Sequence, residues 1–387
     1  LSYLVYDVFS ILVDAPLDTS FAPGGTVAQP AKLEISKKDK NMRLPSSIKT
    51  ARGKLAIAAL SILSAALPLS AQTSLTGAGA TFPAPIYQKW FQDYQSIGNV
   101  QINYQANGSG GGIKAITDGT ADFGASDMPM TDEQLKVYKD KNGHAVLMFP
   151  TVLGAVVPVY NVPGVTAELN FPHAVLADIF LGKITMWNDP VLVKANPGVT
   201  LPATKILPIH RSDGSGTTFC FTDFLAKSNK AWTAKPNTVV DWPGGLGAAK
   251  NDGVASLVKQ QPGSIGYVEL IYAVKNKIPY GKVQNKAGQF VKAELSSVTA
   301  AAASMKEMPA DFRVSITDAD GKASYPISTF TWLLVPAEIS DATKKKALVG
   351  FLQWALTKGQ AEVESDDYAQ LPKAVVAKEE KQIAMIK

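Results

Sequence analysis

Residues 210–219 read His-Arg-Ser-Asp-Gly-Ser-Gly-Thr-Thr-Phe, "HRSDGSGTTF". The run passes from an apolar strand signal ending near Ile209, through a Gly/Ser loop, into a helix expected from Gly216 to about Ala226. Two other loops have the same composition and also stand before helix signals: "GAGATF" at 77–82 and "NGSGGG" at 107–112. Glycine lets a ligand approach the backbone, and Ser and Thr cap helix starts. The first turn of a helix offers unpaired N–H groups and the positive end of its dipole. One such terminus is a weak anion site; three converging would make a strong one. Arg211 adds a planar fork of donors that matches a tetrahedral oxyanion.

Two carboxylates complicate that reading. Asp213 stands two residues after Arg211, so along a strand exit both can lie on one side, with the carboxylate steadying the guanidinium. The alternative is a solvated loop aspartate. Asp127, at the exit of "DFGASD", needs another explanation. An ionised carboxylate only accepts hydrogen bonds, so a fully deprotonated anion leaves it repelled and unpaired. Phosphate keeps a proton near neutrality, its second pKa being about 6–7 by analogy with phosphorylated side chains, and sulfate keeps none. Asp127 is therefore expected to select phosphate over sulfate by penalising the competitor.

Outward from these loops the chain alternates strand and helix signals, which implies an α/β fold. Pro83 and Pro85 open a helix bearing Ile86, Trp90 and Tyr94 at four-residue spacing. Val100, Ile102 and Tyr104 alternate as in a strand, and Ile113 and Ile116 mark a short helix. Ala145–Phe149 and Gly154–Tyr160 read as two strands, Ala174–Leu181 as a helix, "STFTWLLVP" at 328–336 as a strand, and Asp341–Leu356 as a long helix. The 387 residues are 46% hydrophobic and 18% charged, a globular composition long enough for two domains.

From Met42 a basic head, the apolar stretch Leu55–Leu67 and the small-residue exit "PLSAQ" form the three parts of a cleavable secretory signal, expected over 42–71. No cysteine lies near the exit, so no lipid anchor is expected. Residues 1–41 are expected to be an extraneous, disordered leader. The formal charge of +5 includes eight basic and five acidic residues in 1–71; the remainder holds 30 against 28, a net +2. That near balance removes the case for nucleic acid. The single Cys220 permits no internal disulfide and sits between Phe219 and Phe221, as a buried small hydrophobe would.

The stretches "SLTGAGATFPAPIYQKW", "NGSGGGIKAI", "DFGASDMPM", "DGSGTTFCFTDFL", "NDGVASLVKQQPGSIGYVE" and "DYAQLP" together resemble the periplasmic phosphate-binding proteins of bacterial ABC-type uptake systems, in order and over essentially all of 72–387. The resemblance implies a two-lobed periplasmic-binding-protein (type II) fold, α/β, each lobe a mixed sheet flanked by helices, with the ligand in the hinge cleft. Lobe I would comprise 72–152 and 325–387, and lobe II 153–324. It implies ligand contacts from Thr81, Phe82 through its N–H, Ser109, Asp127, Arg211, Asp213, Ser215, Gly216 and Thr217. Gly110 departs from the family, where a second serine is common. The function implied is capture of inorganic phosphate by a periplasmic monomer and delivery to an inner-membrane ABC permease with its ATPase, with no cofactor. Arsenate, which also carries a proton, should compete. A secreted phosphatase of the same fold is the rival from another class. However, His144, His173 and His210 are widely spaced and no cluster has metal-ligand spacing. Neither GxxxxGK[ST] nor GxSxG occurs.

Overall fold

The computed structural model describes residues 72–387. The expected leader (1–41) and the expected signal (42–71) precede Gln72 and lie outside the described residues. In chain order the strands are β1 (Thr73–Gly79), β2 (Val100–Ala106), β3 (Phe123–Ser126), β4 (Val146–Asn161), β5 (Asn170–Phe171), β6 (Leu207–Arg211), β7 (Leu246–Ala248), β8 (Ser264–Glu269), β9 (Lys282–Gln284), β10 (Phe290–Val291) and β11 (Ser328–Pro336). The helices are α1 (Ala84–Gly98), α2 (Ser109–Asp118), α3 (Asp132–Asn142), α4 (Val175–Phe180), α5 (Pro190–Ala195), α6 (Gly216–Ser228), α7 (Lys250–Gln260), α8 (Leu270–Asn276), α9 (Leu295–Ala303), α10 (Ala342–Ala355) and α11 (Lys373–Ile383), with a 3-10 helix at Gly359–Asp366. This is the α/β architecture expected. Among the described residues no helix is long and apolar enough to cross a membrane.

Eight strands form one mixed sheet in the order β2-β1-β3-β11-β4-β8-β6-β7. β4 is the pivot of that order. Its residues Val146–Ala155 pair antiparallel with β11, and Val156–Asn161 pair antiparallel with β8. The sequence reading of two strands here is corrected: one 16-residue strand runs through both. Pro150 and Gly154 look like breaks, because proline cannot donate to a ladder. The register with β11 instead shifts between Thr331 and Trp332, where Trp332 faces Pro150. The irregularity in the ladder thus falls beside the residue that cannot donate.

The first glycine-rich loop is also corrected, since Gly77 and Gly79 belong to strand β1. β1 runs parallel to both β2 and β3. Gly79 has φ +142°, and a Cβ there would stand 2.1 Å from the Ala125 carbonyl oxygen. The glycine lets two strands approach, and only the residues after it form the loop to α1.

The expected stripe on α1 is buried, with Ile86 and Trp90 wholly inaccessible and Tyr94 nearly so. Trp90 donates from Nε1 to the Gly359 carbonyl at 3.1 Å. Around α6 a second aromatic group forms, in which Phe221 stacks on Tyr267 at 4.3 Å between centroids. Cys220 is a free, fully buried thiol, as expected. Asp341 caps α10 by accepting from Thr343 and Lys344 N–H at 2.8 and 3.0 Å.

A Gly79→Ala substitution forces a side chain into the Ala125 carbonyl in a backbone region that L residues rarely adopt. We expect it to destabilise the fold by more than about 2 kcal/mol, measured by denaturant unfolding.

Candidate functional site

β6 lies between β8 and β7, parallel to both, and ends at Arg211. The Arg211 N–H donates to the Tyr267 hydroxyl at 3.1 Å, which fixes the strand end. Its side chain is only 1% exposed. Nε and Nη2 donate to the two oxygens of Asp213 at 2.7 and 2.6 Å, and Nη1 reaches the Thr217 hydroxyl at 3.4 Å. Asp213 is therefore the clamp expected from its spacing and not a free loop carboxylate. It also accepts the Lys250 N–H at 3.0 Å, which ties the start of α7 to the same group. Burial opposes its ionised form, but the hydrogen bonds and charge of Arg211 outweigh that and hold its pKa below the usual range.

Asp127 follows β3 and is buried. The Thr331 hydroxyl of β11 donates to its Oδ1 at 2.8 Å, and Ser109 Oγ stands 3.4 Å from Oδ2. Ser109 Oγ accepts N–H groups from Asp127 at 3.1 Å and from Gly216 at 3.0 Å. A Cβ on Gly216 would lie 2.5 Å from that oxygen and 2.6 Å from Asp127, so only glycine admits the start of α6 here. Burial raises the Asp127 pKa to about 7, against the Thr331 hydrogen bond, the Arg211 charge and the Ser109 hydrogen bond. The expectation of a plainly ionised carboxylate is thus revised: near neutral pH Asp127 is poised to hold or release a proton.

Thr81 and Phe82 lie in the loop before α1. Asn251 Nδ2 donates to the Thr81 hydroxyl at 2.9 Å and to the Thr217 hydroxyl at 3.3 Å. The Thr81 carbonyl accepts from Tyr272 at 2.5 Å, and the Phe82 carbonyl from Tyr368 at 2.6 Å. Ser215 caps α6: its Oγ accepts the Thr218 N–H at 3.1 Å, while its own N–H goes to the Thr238 carbonyl at 2.8 Å. Only its hydroxyl hydrogen remains to offer. Ser109, by contrast, is the first residue of α2 and not its cap, which leaves its hydroxyl for Asp127 and Gly216. The nine residues expected at the site thus fall in one connected polar cluster.

His210, the one candidate base beside the site, stacks on Trp242 at 5.2 Å, and its Nδ1 stands 3.1 Å from the Arg211 carbonyl oxygen. Among the described residues no group of three His, Cys, Asp or Glu side chains could hold a metal ion. Sequence reading missed Asn251, Thr331, Tyr267, Tyr272 and Tyr368 as parts of this cluster. Asn251, Tyr267 and Tyr368 lie inside stretches that carry the family resemblance, which was the available signal.

A profile described as the PBP superfamily domain matches residues 65–358. The chain belongs to this superfamily and, within it, to the family of PstS phosphate-binding proteins. It is 44% identical over 306 residues to the phosphate-binding protein PstS of Xylella fastidiosa, an alignment that covers 78% of this chain and 82% of that one. It is 43% identical over 317 residues to the phosphate-binding protein PstS of Pasteurella multocida, covering 81% and 90%. In fold it is similar to a high-affinity periplasmic phosphate-binding protein, PfluDING, solved with phosphate. That likeness has a TM-score of 0.68 at 20% identity and covers 80% of this chain and 93% of the other.

The raised pKa of Asp127 makes a prediction about stability. Its folded pKa of about 7 exceeds the unfolded value of about 3.9, so the unfolded chain loses its proton first. The contribution is fully present below the unfolded value and is lost as pH rises through about 7. Glu269 and Glu379, both buried and shifted upward by burial, act in the same direction. Thermal melting of ligand-free protein should show stability falling between about pH 4 and 7, and Asp127→Asn should flatten part of that slope.

Proposed function

We propose that this protein binds inorganic phosphate in the periplasm and delivers it to an ABC-type import permease, as a monomeric solute-binding component with no catalytic role. The observation that carries the reading is the placement of one buried, proton-poised carboxyl, Asp127, in a cluster otherwise built of donors around a neutralised Arg211. Asp213 offsets the guanidinium charge, so the cluster has little net charge with which to attract anions indiscriminately. Discrimination then falls to hydrogen-bond polarity. Phosphate contacts are assigned to Thr81, Phe82, Ser109, Asp127, Arg211, Asp213, Ser215, Gly216 and Thr217, with Asp213 acting through Arg211. The names of the relatives support the ligand, and a permease partner follows from the family's role in uptake.

In this reading residues 72–152 with 325–387 form one lobe and 153–324 the other. The exchange of β4's partner from β11 to β8 supports that division. Thr81, Phe82, Ser109 and Asp127 then belong to one lobe, and Arg211 through Thr217 to the other. Ligand held by both sets favours the closed arrangement, because only there do all the donors reach it. Export by a signal peptide at 42–71 belongs to the same proposal.

Asp127 gives the reading its sharpest test. Above about pH 7 the carboxylate accepts the proton that phosphate still carries, and sulfate has none to give. Below that pH a protonated Asp127 can donate to sulfate, while phosphate brings a second proton that lacks an acceptor. Calorimetric titration at pH 8 should show tight phosphate binding, competition by arsenate and negligible sulfate binding. The phosphate-to-sulfate ratio should narrow at pH 5.5. Asp127→Asn, which both donates and accepts, should narrow it at either pH; an unchanged ratio would remove Asp127 as the selector. Repeated turnover of a phosphate ester, lost in Arg211→Ala, would replace this reading with the phosphatase.

A further inference from the structure

Asn251 opens the "NDGVASLVKQQPGSIGYVE" stretch, and no role at the site follows for it from the resemblance. It is fully buried at the start of α7. Its side-chain orientation is fixed by one contact: Oδ1 accepts the backbone N–H of Glu269 at 3.0 Å. A backbone N–H can only donate, so the atom facing it is the oxygen and the other is the NH2 group. That NH2 faces two hydroxyls, Thr81 Oγ1 at 2.9 Å and Thr217 Oγ1 at 3.3 Å. Thr217 Oγ1 also accepts from Arg211 Nη1 at 3.4 Å.

A hydroxyl oxygen has two lone pairs and one hydrogen. Both lone pairs of Thr217 Oγ1 are occupied, so its hydrogen must point away from Asn251 and Arg211. The hydrogen of Thr81 Oγ1 cannot point at Asn251 either, because an NH2 group accepts nothing. Among the described residues neither hydroxyl donates to an acceptor. Two buried hydroxyls, both accepting and neither donating, mark a place where an acceptor-rich ligand belongs.

We infer that Asn251 is a positioning residue which turns the Thr81 and Thr217 hydroxyls into obligatory donors toward the bound anion. The inference rests on the phosphate reading and deepens it. A site for an oxyanion needs donors, yet a threonine hydroxyl is by itself indifferent and can turn its lone pairs inward. A single buried amide, held by a main-chain N–H, removes that freedom from both hydroxyls. These come from segments on opposite sides of β4 in the chain, so the same amide also joins the loop before α1 to the first turn of α6.

The test is calorimetric titration of the full-length protein with inorganic phosphate at pH 8, on Asn251→Ala, Asn251→Asp and their parent. Asn251→Ala frees both hydroxyls to turn and should weaken binding about 10-fold. Asn251→Asp keeps the shape and the Glu269 contact, but its carboxylate draws both hydroxyl hydrogens to itself. It should weaken binding by 100-fold or more, on the order of 10-fold for each donor lost to a charged ligand. A residue that only packs would give the reverse order, since Asp is the closer isostere. A second measurement separates hydroxyl orientation from simple charge repulsion. In a Thr81→Val/Thr217→Val background, Asn251→Ala should cost less than about twofold, because no hydroxyl remains to orient. Should Asn251→Asp fail to fold, that cycle decides alone. The inference is overturned if Asn251→Asp binds as well as Asn251→Ala, or if Asn251→Ala costs the same with and without the two hydroxyls. A parent protein that does not bind phosphate at all overturns the functional reading itself; a tight parent with indifferent variants overturns only the role of Asn251.

Discussion

A guanidinium with 1% of its side chain exposed has to be neutralised where it sits, and the arrangement around Arg211 follows from that demand. Removing one partner of a buried ion pair costs about 3–5 kcal/mol, because the remaining charge is left uncompensated. Asp213 meets Arg211 with both oxygens, and it can do so only if the chain turns sharply after β6. That turn delivers Ser215 to cap α6, brings Gly216 against Ser109, and sets Thr217 beside Nη1. The spare capacity of the same carboxylate takes the Lys250 N–H and so anchors α7, which brings Asn251 into place. One ion pair thereby fixes the starts of two helices.

The pair also determines what kind of selectivity the site can have. With its cation offset, the cluster cannot favour an anion by charge alone, and the direction of each hydrogen bond becomes decisive. Asp127 is an acidic group of the cluster distinct from the clamp, and burial leaves it on the verge of protonation. The surrounding core has the same character. Glu269 is buried with Oε1 unpartnered, and Glu379 with both oxygens unpartnered, conditions under which a carboxyl keeps its proton.

Much of this was legible in the sequence where the information is local. The four-residue spacing on α1, the long helix read from Asp341 and the two-residue step from Arg211 to Asp213 each express short-range geometry. What failed depended on partners far along the chain. Glycines at 77 and 79 look like a ligand loop, and only the presence of Phe123 and Ala125 across the sheet turns them into a strand. Pro150 looks like a break until the register shift in β11 accommodates it. Asn251 meets Thr81 across 170 residues, and Thr331 reaches Asp127 across 204. No periodicity encodes such meetings. Family resemblance could point to the first, because it names a stretch without naming a contact; Thr331 lay in a segment read only as a strand.

Cys220 is the sole thiol in the whole chain, and it lies sealed on the inner face of α6. A thiol reagent can reach it only when that helix lifts away from its surroundings. The chain therefore contains an intrinsic clock: its alkylation rate in native buffer reads how often this part of the fold opens, with no label or engineered residue. Because α6 also presents Gly216 and Thr217, anything that grips them should slow the clock. Occupancy of the cluster could then be followed from a sulfur atom that never touches what is bound.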